Sequence, residues 1–195
     1  MQDYFPLSER YRYPEFINGQ VVLKNGRSTN LRLNYNYMTG EVEFIQAKDT
    51  LSISKKKDIL YVVAQDTFVY YNGYKEVISG GEIKVGLKQY IKIKDVLEKG
   101  AFGTTNRAAS IDTYKSIWAD GNTYDLVPNQ DIEVQMTLEY YISKSSCDFI
   151  LFNKKNVKQL FPQRADEIKA YIKSNKVDFE SRDDLLRFAD YLRSL

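Results

Sequence analysis

Apolar and polar residues alternate through most of residues 18–152. Leu31, Leu33, Tyr35 and Tyr37 alternate with Arg32, Asn34 and Asn36. A period of two puts the first set on one face of a strand. Val42 and Phe44 resume the pattern after Met38, Thr39, Gly40 and Glu41. A four-residue loop there sets Tyr37 opposite Val42 and Tyr35 opposite Phe44, apolar on apolar, and register follows the buried face. Asn25 and Gly26 both tolerate positive φ, and they predict a two-residue type I′ hairpin joining 20–24 to a strand that begins near Arg27.

The same reading carries on down the chain. Residues 59–64 (ILYVVA) form a nearly continuous apolar run, which predicts a central strand covered on both faces. Strands over 67–71 and 74–79 follow, joined at Asn72 and Gly73, and Gly80 and Gly81 break the chain again. Residues 82–94 are the longest strand candidate, with Ile83, Val85, Leu87, Ile91 and Ile93 on one face. Lys84, Lys88, Lys92, Lys94 and Tyr90 share the other. Residues 131–142 alternate just as cleanly, and 123–127 and 148–152 complete the strand-forming part. Periodicity fades over 99–122, which reads as a long loop with a short helical turn near 111–118, and loops of that length are commonly functional or disordered.

From Asn153 the apolar spacing turns helical. Val157, Leu160 and Phe161 follow an Asn153 cap, and Pro162 suits a first helical turn. Ile168, Tyr171 and Ile172 mark the next apolar face, with Asn175 as a left-handed stop. Ser181 to Asp184 resembles a capping box ahead of Leu185, Phe188 and Leu192, and Val177 and Phe179 tuck into the core. The fold class is therefore α+β: a mainly antiparallel β meander, curved or barrel-like, followed by a small C-terminal three-helix element. The divisions are an extended arm at 1–17, ordered near Phe16, a β domain at 18–152, and a helical element at 153–195 packed on or beside it.

Composition narrows the chemistry. The 195 residues are 43% hydrophobic and 28% charged with a net charge of +2, ordinary for a globular protein. No apolar run approaches the roughly 20 residues that cross a bilayer as a helix. The 16 tyrosines and 10 phenylalanines suit strands, and they also suit an aromatic surface for glycans or peptides. Histidine is absent, which removes His-dependent triads and most catalytic zinc sites. A lone Cys147 allows no internal disulfide and reads as a semi-buried residue at a strand edge.

Candidate chemistry reduces to a few places. Lys84, Lys88 and Lys92, with Tyr90 to stack, could form an anion-binding face for nucleic acid or an acidic glycan. A solvated or lysine-guarded strand explains the same residues, and the net charge of +2 argues neither for nor against a polyanionic partner while giving no support to a strong field. In the 99–122 loop, Phe102, Tyr114 and the single tryptophan, Trp118, are the candidates for a binding loop. Glu41 with Glu43, and Glu133 with Glu139, are the carboxylate pairs a hydrolase could use. No metal or phosphate motif is present, no cofactor is implied, and no catalytic residue is assigned.

The segments GQVVLKNGRSTNLRLNYNYMTGEVEFI and LFPQRADEIKAYIKSNKVDFESRDDLLRFADYL resemble those of a group of uncharacterised proteins from Bacteroidetes-type bacteria. The likeness spans most of the chain, and its motifs are turn glycines, strand alternation and a helical tail. It transfers no catalytic residue. It implies an exported, periplasmic or envelope location, with Met1 an added residue ahead of a mature chain starting at Gln2; a cytoplasmic protein starting naturally at Met1 is the alternative. The leading expectation is a non-enzymatic envelope-associated structural or binding protein with a protein or glycan partner. A carboxylate-based hydrolase and a nucleic-acid-binding module on the lysine face are the alternatives. Oligomeric state stays open.

Overall fold

The computed structural model describes residues 7–99, 105–107, 115–119, 122–126, 130–144 and 148–195, with side chains at 8–94, 133–144 and 148–195. Cys147, Phe102 and Tyr114 lie outside the described residues, and so does the side chain of Trp118. The fold is α+β. The strands pair antiparallel, and their order does not close on itself among the described residues. The chain forms two compact units, Met1–Ile17 with Arg32–Ile53 and Gln89–Thr137, and Asn18–Leu31 with Ser54–Lys88 and Leu138–Leu195.

The second unit holds most of the sheet. Its strands are β1 (Ile17–Leu23), β5 (Ile59–Val63), β6 (Thr67–Tyr70), β7 (Tyr74–Ser79), the start of β8 (Ile83–Lys99), the end of β12 (Gln130–Lys144) and β13 (Ile150–Leu151). They lie in the order β13-β12-β8-β7-β6-β5-β1. Alternation on β8 fell where the pattern put it: Ile83, Val85 and Leu87 are buried, while Lys84 and Lys88 are half-buried. In the sheet order β8 lies between β7 and β12, with β7 registered against Val85, Gly86 and Leu87, so it is not an edge strand there.

Three helices cover the face that carries Val85, Leu87, Tyr140 and Ile142: α2 (Lys154–Leu160), α3 (Ala165–Ser174) and α4 (Arg182–Arg193). Val157, Ile168, Leu185 and Phe188 are fully buried against it, and Val177 and Phe179 pack on the same cluster. Asn153 caps α2, its Oδ1 accepting from Asn156 N at 2.9 Å. Two details differ from expectation. The left-handed residue after α3 is Lys176 (φ 49°), not Asn175, because the chain closes a Schellman turn in which Val177 N donates to Ile172 O at 3.2 Å. Ser181 caps α4 through Asp184 N, but the Asp184 carboxylate accepts from Asp178 N instead of completing a box.

The run at 59–64 is covered on one face only. Leu60, Tyr61 and Val63 stay 36–40% exposed while Ile59 and Val62 are buried. The helices go to the β8-β12 end, so this part of the sheet keeps an open face. The hairpin at Asn25 also differs. Leu23 N donates to Arg27 O, and only Gly26 is left-handed, at φ 82°. Three residues therefore form the loop, the arrangement of a type I turn followed by a bulge.

The first unit contains the end of β2 (Ser28–Asn36), β3 (Glu41–Gln46), β4 (Asp49–Ser52), and a hairpin of β10 (Lys115–Ala119) and β11 (Asn122–Leu126). β9 (Thr105–Arg107) pairs with the far end of β8. The stretch read as a loop thus contains strands, and 115–118 is extended, not helical. The β2-β3 register also differs: Tyr35 faces Val42 and Leu33 faces Phe44, with Asn36 opposite Glu41. The four-residue loop is present but begins one residue earlier. Asn36 sets it, accepting at Oδ1 from Met38 N at 2.9 Å, while Gly40 takes φ 67°. The shift of two keeps apolar on apolar. It leaves Tyr37 to bond elsewhere, its N donating to Arg10 O and its O accepting from Ile91 N.

The N-terminal arm is ordered well before Phe16. A turn of helix, α1 (Leu7–Arg10), leads to a bridge between Tyr11 and Asn36. Tyr11 and Tyr13 are buried.

Candidate functional site

The sequence candidates that can be seen are those on β8. Lys92 and Lys94 are exposed, and Lys94 Nζ lies 2.7 Å from Glu133 Oε1, so part of the positive charge is neutralised across the sheet. Lys84 and Lys88 are half-buried, as is Tyr90. The weighed carboxylates have partners too. Glu43 is buried, its two oxygens accepting from Tyr11 Oη at 2.6 Å and Asn36 Nδ2 at 3.0 Å. Glu139 accepts from Tyr141 Oη at 2.8 Å. Burial, together with the Glu43 hydrogen bond and charge, pushes the Tyr11 phenol up to about 12.

Sequence reading missed a buried amine. Lys75 on β7 is 1% exposed. Its Nζ donates to Tyr71 O and to Gly73 O, and it stands 4.4 Å from the centre of the Tyr141 ring. Burial and then the Lys88 ammonium depress its pKa to about 8, against the pull of Glu139. Gly86 makes room for this arrangement. A β-carbon there would stand 2.8 Å from Phe149 Cε1 and 3.4 Å from Lys75 Cβ. A glycine within a strand was the available signal, since it commonly marks a close approach. The amine is held by backbone carbonyls and a ring, which suits a structural ammonium clasp around the turn at Asn72 and Gly73.

The most site-like feature lies in the second unit, under the turn between α2 and α3. A cavity of about 410 Å³ is bounded by Glu82 and Ile83 from the start of β8, Lys144 from the end of β12, residues 160–164, and Leu192, Arg193 and Leu195. Its position follows from local chemistry. Pro162 cannot continue α2, and a turn of 3-10 helix over Pro162–Arg164 redirects the chain into α3. That corner swings Phe161, Gln163 and Arg164 toward the end of α4. No family model, curated protein or solved structure matches this chain. The cavity's chemistry must therefore be read from its own walls.

The three cations there differ in their commitments. Arg193 is fully occupied: its guanidinium donates to Ser79 Oγ, Gly80 O and Ile83 O and pairs with Asp190. It fastens α4 to the sheet. Arg164 pairs with Glu167 at 2.9 Å, which raises its pKa further, and reaches Leu195 O at 3.4 Å. Lys144 lies over the Phe161 ring, 4.6 Å from its centre, and has no carboxylate partner among the described residues. The Gln163 amide likewise makes no hydrogen bond among them. Ile83, Leu160, Phe161, Pro162, Leu192 and Leu195 supply apolar wall, and Glu82 is the acidic side chain. Apolar walls with a few placed polar groups are the usual make-up of a ligand pocket.

A second pocket, of about 340 Å³, lies in the first unit between Tyr11, Pro14, Phe16, Arg32, Asn34 and Ile45. Its polar groups are already engaged. Arg32 donates to Phe16 O, and Asn34 bonds the backbone of Tyr13 and Glu15. It has aromatic walls but less to offer an incoming polar group.

Proposed function

We propose that this chain is a non-enzymatic binding protein, exported to the bacterial envelope, which holds a protein or glycan partner in the cavity under the α2-α3 corner. The observation that supports the reading is the combination in one cavity of an apolar surface, a Lys144 ammonium with no carboxylate partner among the described residues and a Gln163 amide with no hydrogen bond among them. Lys144 and Arg164 favour a partner that carries negative charge, so a peptide or an acidic glycan fits better than a neutral sugar. The location rests on the resemblance of the two quoted segments to exported proteins of Bacteroidetes-type bacteria.

A chemical-shift screen of the isotope-labelled chain against mixed peptides and mixed acidic and neutral glycans tests the binding reading. Shifts clustered on Ile83, Gln163, Arg164 and Leu192 are the expected result. Shifts elsewhere, or none from any mixture, overturn it. Fractionation of cells expressing the gene from its own start tests the location, which fails if the protein stays in the cytoplasm.

A further inference from the structure

The geometry points to a free carboxylate as the group this cavity recognises, and to a peptide carboxyl terminus ending in an apolar residue as its source. The inference rests on the cavity being the ligand site, and it adds what the ligand must carry. Three features of the wall lead to it.

The first is the charge. Lys144 is a compact ammonium on an exposed stem, positioned by the Phe161 ring and unmatched by a carboxylate among the described residues. Arg164 adds a guanidinium that is shared with Glu167. A charge-assisted hydrogen bond from such groups to a carboxylate is roughly twice as strong as a neutral one. Glu82, which lines the same cavity, limits how much negative charge is welcome, since a like charge nearby disfavours a second anion. One negative charge is accommodated better than two, which favours a carboxylate over a phosphate monoester.

The second is the apolar surface. Phe161 stands beside Lys144, and Leu160 and Leu192 line the same cavity, so the preferred carboxylate has hydrocarbon next to it. A sugar acid presents hydroxyls at that place and would leave them against leucine and phenylalanine, where an unpaired polar group is costly.

The third is Gln163. Its side-chain amide provides one acceptor and a pair of donors and makes no hydrogen bond among the described residues. A peptide group next to the terminal carboxylate can use both kinds. The alkyl chain of a fatty acid can use neither. Backbone-like recognition beside a terminal carboxylate is a recurrent mode of peptide capture.

N-acetyl-leucyl-leucine, its carboxamide, octanoate, glucuronate and inorganic phosphate, titrated against the labelled chain, make the test. The acid should bind at the cavity about tenfold more tightly than the carboxamide, the difference expected for one charge-assisted contact. Lys144→Met should remove that difference, and Lys144→Arg should keep most of it. Residue 144 is exposed, so either variant should fold, which an unchanged circular dichroism spectrum would verify. If acid and carboxamide bind equally at the cavity, the carboxylate is wrong while the ligand site stands. If octanoate, glucuronate or phosphate binds more tightly than the peptide acid, the peptide source is wrong. If no probe shifts the cavity signals, this inference falls, and if the broader mixtures fail as well, the binding function falls with it.

Discussion

Phe149 packs against the backbone of Gly86 so closely that a β-carbon at position 86 would stand 2.8 Å from its ring. The strand has no space there for any side chain. Gly86→Ala should therefore destabilise the protein by about 1–3 kcal/mol, the usual cost of overpacking. Phe149→Ala should cost about 3–5 kcal/mol as a large-to-small change. In the double variant the clash disappears, so urea unfolding should show a combined loss smaller than the sum, by about 1 kcal/mol or more. Strict additivity would mean the two residues do not touch in solution.

Stability should pass through a maximum in alkali, because two buried groups titrate in opposite senses. Lys75 is lowered from 10.5 to about 8. Between those values the unfolded chain holds a proton that the folded chain has lost, so stability rises with pH from about 8. Tyr11 is raised from 10.0 to about 12. Its contribution is complete below pH 10 and is lost as pH rises toward 12. Urea midpoints measured from pH 7 to pH 12 should climb, turn over near pH 10 and fall. Lys75→Met should flatten the climb and Tyr11→Phe the fall.

Asn36 does two jobs from one amide. Its oxygen accepts from Met38 N, and its nitrogen donates to the buried Glu43 carboxylate. Asn36→Ala should cost about 2–3 kcal/mol, chiefly because Glu43 is left short of a donor. Asn36→Asp keeps the turn acceptor but faces Glu43 with a second carboxylate, so it should be less destabilising at pH 4 than at pH 7. Equal losses at both values would show that the Glu43 contact is not what matters.

Lys176 ends α3 at φ 49°, a conformation that costs an L-residue with a β-carbon about 1 kcal/mol. Lys176→Gly should raise stability by about 0.5–1 kcal/mol in thermal unfolding, whereas Lys176→Ala should not. A gain from alanine would point to charge, not to backbone strain.

Strand positions and faces were legible because burial enforces the period of two. On β8 the apolar set at 83, 85 and 87 is buried as its pattern required. Helix starts were legible for the same local reason, as the Asn153 cap shows. What failed depended on partners distant in sequence. Both candidate registers of Tyr35 pair apolar residues with each other, and the choice fell to Asn36, whose amide reaches Glu43. The run at 59–64 is apolar enough for two covered faces, yet nothing local to it states that the helices pack elsewhere. The cavity was invisible because Ile83, Lys144, Gln163 and Leu192 are far apart along the chain, and each reads as an ordinary core or surface residue. For Lys75 the one signal was Gly86 on the neighbouring strand, since Tyr141 and Lys88 also come from other strands.

Arg193 has a consequence for how the chain is made. It lies in the last turn of α4 and grips Ser79, Gly80 and Ile83, residues 110–114 positions earlier. A growing chain has β7 and β8 in hand long before this residue exists. Until α4 exists, the apolar side of Val85 and Leu87 lacks the part of its helical lid that Leu185, Phe188 and Leu192 supply. Contacts this distant in sequence form slowly, so the seam between α4 and the start of β8 is a late-closing part of this unit.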